Sequence, residues 1–239
     1  MDSAIALFVR HPTPGKVKTR LAAGLGDQAA ADFYAECAQH AILQATRAKA
    51  DCFVFFSVAE EENSVKDWLA LHSDRIKGFI PQVQDASGNL GIRLAGCIQS
   101  IMRGAAPNYK RILIVGSDIP DVDAAIFDKA LRLLRDFQVV FGPSLDGGYY
   151  LVGLSTSSGE TMALTELFSD IPWSTDMVLS KNISNAEKLG LSVAPIASLP
   201  LLQDIDTEQD LREWSEANKR GTGYNPTHSL WALTDGLLK

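Results

Sequence analysis

The chain reads as an α/β protein with a mostly parallel central sheet, and three observations carry that reading. Short apolar runs rich in β-branched and aromatic residues alternate with longer segments whose apolar residues recur every three to four positions. Strands joined by helices imply parallel pairing through right-handed crossovers, with helices covering both faces of the sheet. At 239 residues the chain is long enough to bury a substantial core as a single α/β domain.

The first run, residues 4–9, is a strand, and the loop behind it is unusually basic: Arg10, His11, Lys16, Lys18 and Arg20 fall within eleven residues. Pro12, Pro14 and Gly15 exclude a regular element there, and Gly15 lets the backbone approach an anion. The turn is expected to hold Lys16, Lys18 and Arg20 in reach of one ligand. Its spacing matches neither a Walker loop nor G-x-G-x-x-G. Over residues 27–49 a helix follows, with Ala30, Phe33, Tyr34, Cys37, Ala38, Ala41 and Ala45 on one apolar face. Strands are expected at 52–58 and 79–83, then a helix on Leu90, Leu94, Cys97, Ile98 and Ile101. Residues 111–115 form a fourth strand running into Gly116-Ser117-Asp118-Ile119-Pro120-Asp121. A helix on Ile126, Phe127, Ala130, Leu131 and Leu134 leads to a strand at 138–141.

After Phe141 the rhythm changes. Pro143, Asp146, Gly147 and Gly148 make a loop that enters another strand with no room for a crossover helix, so an antiparallel insertion is expected. Helices return at 160–168 and 175–190, with a strand at 192–196. Thr207-Glu208-Gln209-Asp210 has the form of a capping box, which sets Asp206 just before a helix N-terminus. Residues 219–239 are polar with scattered Leu and Trp231, either a packed tail or a partner-binding arm.

Composition narrows the ligand. Lys plus Arg number 22 against 29 Asp plus Glu, a formal charge of −7, which argues against a nucleic-acid surface. A basic loop in an acidic protein favours a small phosphorylated ligand. Cys37, Cys52 and Cys97 lie in apolar surroundings without C-x-x-C spacing and read as buried thiols of a reducing compartment. No stretch approaches a membrane span and the N-terminus lacks a basic n-region, so the expectation is a cytoplasmic protein.

Ligands of open parallel sheets bind beyond the carboxyl ends of the strands, near the point where strand order reverses. The basic loop, Asp118 and Asp146-Gly147-Gly148 all fall there. A nucleotide diphosphate held by Lys16, Lys18 and Arg20, with Mg²⁺ on Asp118, satisfies all three, since Mg²⁺ takes one or two protein carboxylates and draws its other ligands from water and phosphate. Ser117-Asp118 also reads as a turn or helix cap, and Asp206 as a capping neighbour. Tyr149, Tyr150 and Trp173 offer flat amphipathic surfaces that bind sugars or bases, or simply bury. Asp146 is the candidate general base, on the acceptor side. Among the histidines, only His11 lies beside the loop.

Taken in order, Phe8-Val9-Arg10-His11-Pro12, Pro14-Gly15-Lys16-Val17-Lys18-Thr19-Arg20-Leu21, Leu90-Gly91, Gly116-Ser117-Asp118-Ile119-Pro120, Gly142-Pro143, Asp146-Gly147-Gly148-Tyr149-Tyr150, Trp173-Ser174-Thr175 and Asp204-Ile205-Asp206-Thr207 resemble a bacterial family. That family is GT-A-like and described as nucleotide-diphospho-sugar transferases (DUF2064), including glycosyltransferases of arsenosugar biosynthesis. It is more distantly similar to the nucleotidyltransferases of molybdopterin and coenzyme F420 synthesis. The resemblance covers residues 4–217. It implies a Rossmann-like GT-A domain over 1–217, which leaves a C-terminal tail at 218–239. Apart from the resemblance, that tail is the expected contact surface of any homodimer. It implies Asp118 and Asp206 as carboxylates for Mg²⁺ or Mn²⁺, and a phosphate site of Arg10, Gly15, Lys16, Lys18, Thr19 and Arg20. A sugar or acceptor site would comprise Gly147, Gly148, Tyr149, Tyr150, Trp173 and Thr175. Family members usually carry Lys at position 10 and acids around Leu90-Gly91, where this chain has Arg10, Asn89 and Ile92; that departure bears on hydroxyl contacts there.

Two reactions fit. In one, a sugar passes from a nucleotide-diphosphate sugar to a small acceptor. In the other, an acceptor phosphate attacks the α-phosphorus of a nucleoside triphosphate and pyrophosphate leaves. A third reading, from another class, is a non-catalytic nucleotide-binding regulator.

Overall fold

A strand covered on both faces has no polar side to show, and Ala4, Ile5, Ala6, Leu7 and Val9 are at most 1% exposed. They belong to β1 (Ser3–Val9) in a computed structural model that describes residues 1–57, 59–81, 89–103, 109–156, 166–220 and 229–238. The other strands are β2 (Asp51–Phe56), β3 (Ile76–Pro81), β4 (Arg111–Gly116), β5 (Val139–Pro143) and β6 (Tyr149–Ser155). Together they make a six-stranded sheet in the order β3-β2-β1-β4-β6-β5. The β1, β2, β3 and β4 pairings are parallel, while β6 runs antiparallel to both β4 and β5. The predicted α/β class and the antiparallel departure after Phe141 are both present.

Side chains leave β1 and β4 alternately into two cores. Ile5, Leu7, Leu113 and Val115 face one layer with α2 (Asp27–Arg47), α3 (Glu62–Trp68) and α5 (Ala124–Leu133). Ala4, Ala6, Ile112 and Ile114 face the other with α4 (Leu90–Arg103) and α6 (Val178–Lys188). A third cluster joins α1 (Thr19–Leu25) and α2 to α7 (Glu208–Arg220) and α8 (Ser229–Leu237), where Trp214 and Trp231 stack with ring centroids 4.1 Å apart. Each fully buried Leu, Ile or Phe in these layers contributes about 1.5–3 kcal/mol.

Several boundaries differ from the sequence expectation. No strand spans 192–196: only Val193 makes a parallel bridge, to Val139, before Pro195 removes a donor and the chain turns into a 3₁₀ segment at Ile196–Ser198. The third strand begins at Ile76 and ends at Pro81; Val83, like Val58, lies outside the described residues. The expected helix at 175–190 is α6, which starts only at Val178 because Thr175 spends its hydroxyl on the Pro172 carbonyl in a preceding turn. Of the helix expected at 160–168, residues 160–165 lie outside the described residues. The helix foreseen after Asp206 is α7. Its capping box closes reciprocally: the Thr207 and Asp206 N–H groups donate to Asp210 Oδ2 at 2.7 and 3.1 Å, and the Asp210 N–H donates to Thr207 Oγ1 at 3.1 Å.

Candidate functional site

Strand register assembles the site. Phe8 pairs with Gly116 across β1 and β4, so the chain leaves both strands at the same level and the segments 10–20 and 117–121 emerge side by side. This is also where strand order reverses, with β2 on one flank of β1 and β4 on the other. The phenol of Tyr34, a buried residue of α2, ties the two exits together. It accepts from the Arg10 N–H at 2.9 Å and shares a hydrogen bond with Ser117 Oγ at 2.9 Å.

Lys18 stands at the centre. Its backbone is in the left-handed region, φ 47°, a conformation that an L-residue other than Asn, Asp or His seldom takes and that clusters where a site requires it. The conformation starts α1 and turns the side chain inward, to 7% exposure. Lys18 Nζ donates to Asp118 Oδ2 at 2.9 Å and to Asp206 Oδ1 at 2.7 Å, residues 100 and 188 positions away. Arg20 donates to the other oxygen of Asp206. Burial disfavours the Lys18 ammonium, yet the two carboxylates outweigh it and raise its pKa above the ordinary lysine value. Burial likewise disfavours charge on Asp206, and Lys18 and Arg20 outweigh it, holding that carboxyl below the usual range.

These groups line a cleft of about 430 Å³ whose polar rim is Arg10, Lys18, Thr19, Arg20, Asp118 and Asp206 and whose floor is apolar, with Phe8, Leu90, Leu94 and Ile114. The loop thus delivers four of its predicted phosphate residues to one place. Lys16 and Gly15 do not join them: both are exposed at the turn, where Gly15 takes φ 76° and the Lys16 N–H closes onto the Thr13 carbonyl. His11 pairs with the Thr13 hydroxyl.

A second hollow lies across the Asp118–Asp206 wall, built from Asp146, Ser174, Thr175, Asp204 and Trp173. Gly148 lines it, and Gly147, outside the lining, makes the turn that holds it. At φ 86° Gly147 sits so close to Asp176 that a Cβ would come within 2.3 Å of that carbonyl. Asp146 uses Oδ1 to cap its own turn, accepting from the Ser144 hydroxyl and the Gly148 N–H. Trp173 donates its indole N–H to Asn89 Oδ1, which also accepts from the Gly91 N–H. The residue that departs from the family's acids near Leu90-Gly91 therefore orients the tryptophan. Thr175 turns its hydroxyl to the Pro172 carbonyl. Tyr149 and Tyr150 both line the first cleft and the hollow under Trp173. Tyr150 is 4% exposed, packs on Gly142 and donates its hydroxyl to the Pro200 carbonyl, whereas the buried hydroxyl of Tyr149 has no partner among the described residues.

Among the described residues no group of three or more His, Cys, Asp or Glu side chains forms a complete metal cage. Asp118 and Asp206 do supply the two carboxylates that a hard cation takes when a nucleotide completes its shell, so the donor set fits Mg²⁺ or Mn²⁺ bound together with phosphate.

Three participants escaped the sequence reading. Asp204 had a signal in its place two residues from Asp206, and it lines the second hollow beside that residue. Burial, then the like charges of Asp206, Asp146 and Asp118, push its carboxyl up to about 6. Ser117 sat within the quoted motif without a role. Tyr34 was indistinguishable from its apolar neighbours on the α2 stripe.

The family described as uncharacterized protein conserved in bacteria (DUF2064) matches residues 41–175. A solved structure from Desulfovibrio desulfuricans G20, described as a nucleotide-diphospho-sugar transferase, is 30% identical with a TM-score of 0.85; the match covers 99% of this chain and 96% of that one. The 2-phospho-L-lactate guanylyltransferase of Methanothermobacter thermautotrophicus is 27% identical over 195 residues, 74% of this chain and 82% of the relative. A cytidylyltransferase from Leptospira borgpetersenii has the same fold at 14% identity and a TM-score of 0.56, covering 100% of this chain and 94% of that one. Among the described residues no helix is long and apolar enough to cross a membrane.

Proposed function

The chain belongs to the DUF2064 family, and from that premise we propose that it is a metal-dependent transferase that moves a sugar from a nucleotide-diphosphate sugar to a small acceptor. One observation carries the proposal: a buried ammonium, Lys18, bridges two carboxylates from opposite ends of the chain at the rim of a cleft at the topological switch point. The arrangement is self-neutralised and exchangeable. A diphosphate offers Lys18 and Arg20 the oxygens they now take from Asp118 and Asp206, and so releases those carboxylates to a cation. Mg²⁺ or Mn²⁺ held there supplies Lewis-acid neutralisation of the diphosphate leaving group.

The chain's own groups account for the rest. Lys18 and Arg20 hold the diphosphate and meet the charge that grows on it as the donor bond breaks. Arg10 adds a further cation on the rim, positioned through the Tyr34 phenol. The apolar floor at Phe8, Leu90 and Leu94 excludes water beneath the donor. Asp146, held by Ser144 and Gly148 on the far side of the acids, is the base that takes the acceptor proton. The similarity to the Desulfovibrio protein supports this reading.

A second reading, nucleotidyl transfer, is favoured by the guanylyltransferase relative and by the number of cations in the basic loop. Incubation with Mg²⁺, mixed nucleoside triphosphates and mixed nucleotide sugars separates the two. Nucleoside diphosphate as product supports sugar transfer, and pyrophosphate supports the second reading. Metal-dependent nucleotide binding without turnover of any donor indicates a binding regulator and overturns both.

A further inference from the structure

The two clefts that meet at the Asp118–Asp206 wall differ in charge, and the difference bears on the acceptor. The first cleft carries Arg10, Lys18 and Arg20. Among the described residues, the second is lined by Asp146, Asp176, Asp204, Asp206 and Asp210, with Arg20 as its cation. Arg20 is paired with Asp206 and, on the proposed reading, turns to the diphosphate when the donor binds. The adjoining hollow under Trp173 adds Asp118 and no lysine, arginine or histidine among the described residues.

We infer that the second cleft selects an uncharged or cationic hydroxyl compound as acceptor and rejects phosphorylated and carboxylated ones. The inference deepens the transferase reading and rests on it for calling this ligand an acceptor. A cation bound with the donor does not reverse the charge pattern, because its two positive charges are met by Asp118, Asp206 and the diphosphate itself. Asp146, Asp176 and Asp204 then still face whatever enters from the far side. Like-charge juxtaposition rejects a wrong partner and so sets specificity.

The remaining surfaces suit the same class. Trp173 is half-buried and its indole N–H is held by Asn89, so its ring is fixed as a platform for a sugar's C–H face or for a cation. Tyr149 borders the same hollow with a buried hydroxyl lacking a partner among the described residues, an observation independent of the acids. A buried hydroxyl without a partner costs stability, which a ligand hydroxyl would recover if the ring shifted toward it. A substrate such as the relative's 2-phospho-L-lactate would bring its negative charges against these carboxylates, so the second cleft also weighs toward sugar transfer.

Saturation-transfer NMR on the full chain with Mg²⁺ and mixed nucleoside diphosphates tests this with three small probes: glycerol, choline and glycerol 3-phosphate. Glycerol and choline should bind about tenfold better than the phosphate ester, equivalent to about 1.4 kcal/mol. Asp176→Lys should narrow that ratio about threefold or more, and Trp173→Ala should weaken choline most. Glycerol 3-phosphate binding as well as glycerol, or no probe binding at all, overturns the inference. The outcome is separable from the reaction assay: absence of nucleoside diphosphate release with every donor sinks the transfer reading while this charge preference still stands or falls alone.

Discussion

At the residue scale, Lys18 is the position on which the site turns. Its ammonium keeps Asp118 and Asp206 from repelling one another, although both acids retain contact with water. Removing one member of a fully buried charge cluster costs about 3–5 kcal/mol. Solvent screening of the acids puts Lys18→Met nearer 1–3 kcal/mol, read as a lowered urea midpoint in the presence of EDTA. Asp204 gives a second residue-level prediction. Its folded carboxyl titrates at about 6 against 3.8 for the ordinary group, so the folded state holds its proton more tightly. Stability from this group is greatest below about pH 4, falls as pH rises through the window from 3.8 to 6, and is level above it. A two-unit displacement sets a ceiling of about 3 kcal/mol, and partial exposure reduces it to about 1–2 kcal/mol. Asp204→Asn should therefore be more stable than the parent at pH 8 and lose the advantage at pH 4. The variant-minus-parent difference is the quantity to follow, since the depressed carboxyl of Asp206 acts in the opposite sense as pH falls.

At the element scale, the second cleft depends on a turn that only glycine can make. Gly147→Ala sets a Cβ against the Asp176 carbonyl at a positive φ, and the expected cost is about 2–4 kcal/mol, seen as a lower Tm. A variant as stable as the parent would mean that the turn between β5 and β6 relaxes freely. The elements themselves were largely legible in the residues. β1 and β4 announced themselves as continuous apolar runs, α4 and α5 as stripes at helical spacing, and α7 by its capping box. The expected strand at 192–196 failed because apolar spacing cannot reveal that Pro195 ends the pairing after one bridge. The helix α1 was hidden because it is short and begins at a left-handed lysine, a feature no residue preference signals.

At the scale of the whole molecule, the basic loop, the Asp118 turn and the Asp206 segment meet because β1 and β4 are neighbours in register and α7 packs back on α1 and α2. That meeting was legible as a set of motifs behind strand ends. The partition of its members was not: nothing in residues 10–20 distinguishes Lys18, turned inward, from Lys16, left in solvent. The C-terminal helix α8 is part of the same packing, with Trp231 stacked on Trp214 and Trp214 donating to Asp121 in the turn that carries Asp118. Trp231→Ala should lower stability by about 2–3 kcal/mol, less than a fully buried tryptophan because the ring is partly exposed. Nucleotide affinity measured well below its Tm should stay within about threefold, a change under 1 kcal/mol. A larger loss of affinity would give the tail a direct part in the site.

The central claim is that Lys18, Arg20, Asp118 and Asp206 close around one metal-bound diphosphate, and titration calorimetry tests it most directly. Nucleoside diphosphates titrated into the parent should bind with Mg²⁺ and weaken when EDTA removes it. In Asp118→Asn, which keeps shape and side-chain volume, affinity with Mg²⁺ should fall about 100-fold, or about 2.7 kcal/mol, to a value EDTA no longer changes. A folded Asp118→Asn protein that binds nucleotide as tightly as the parent, with the same dependence on Mg²⁺, would contradict it.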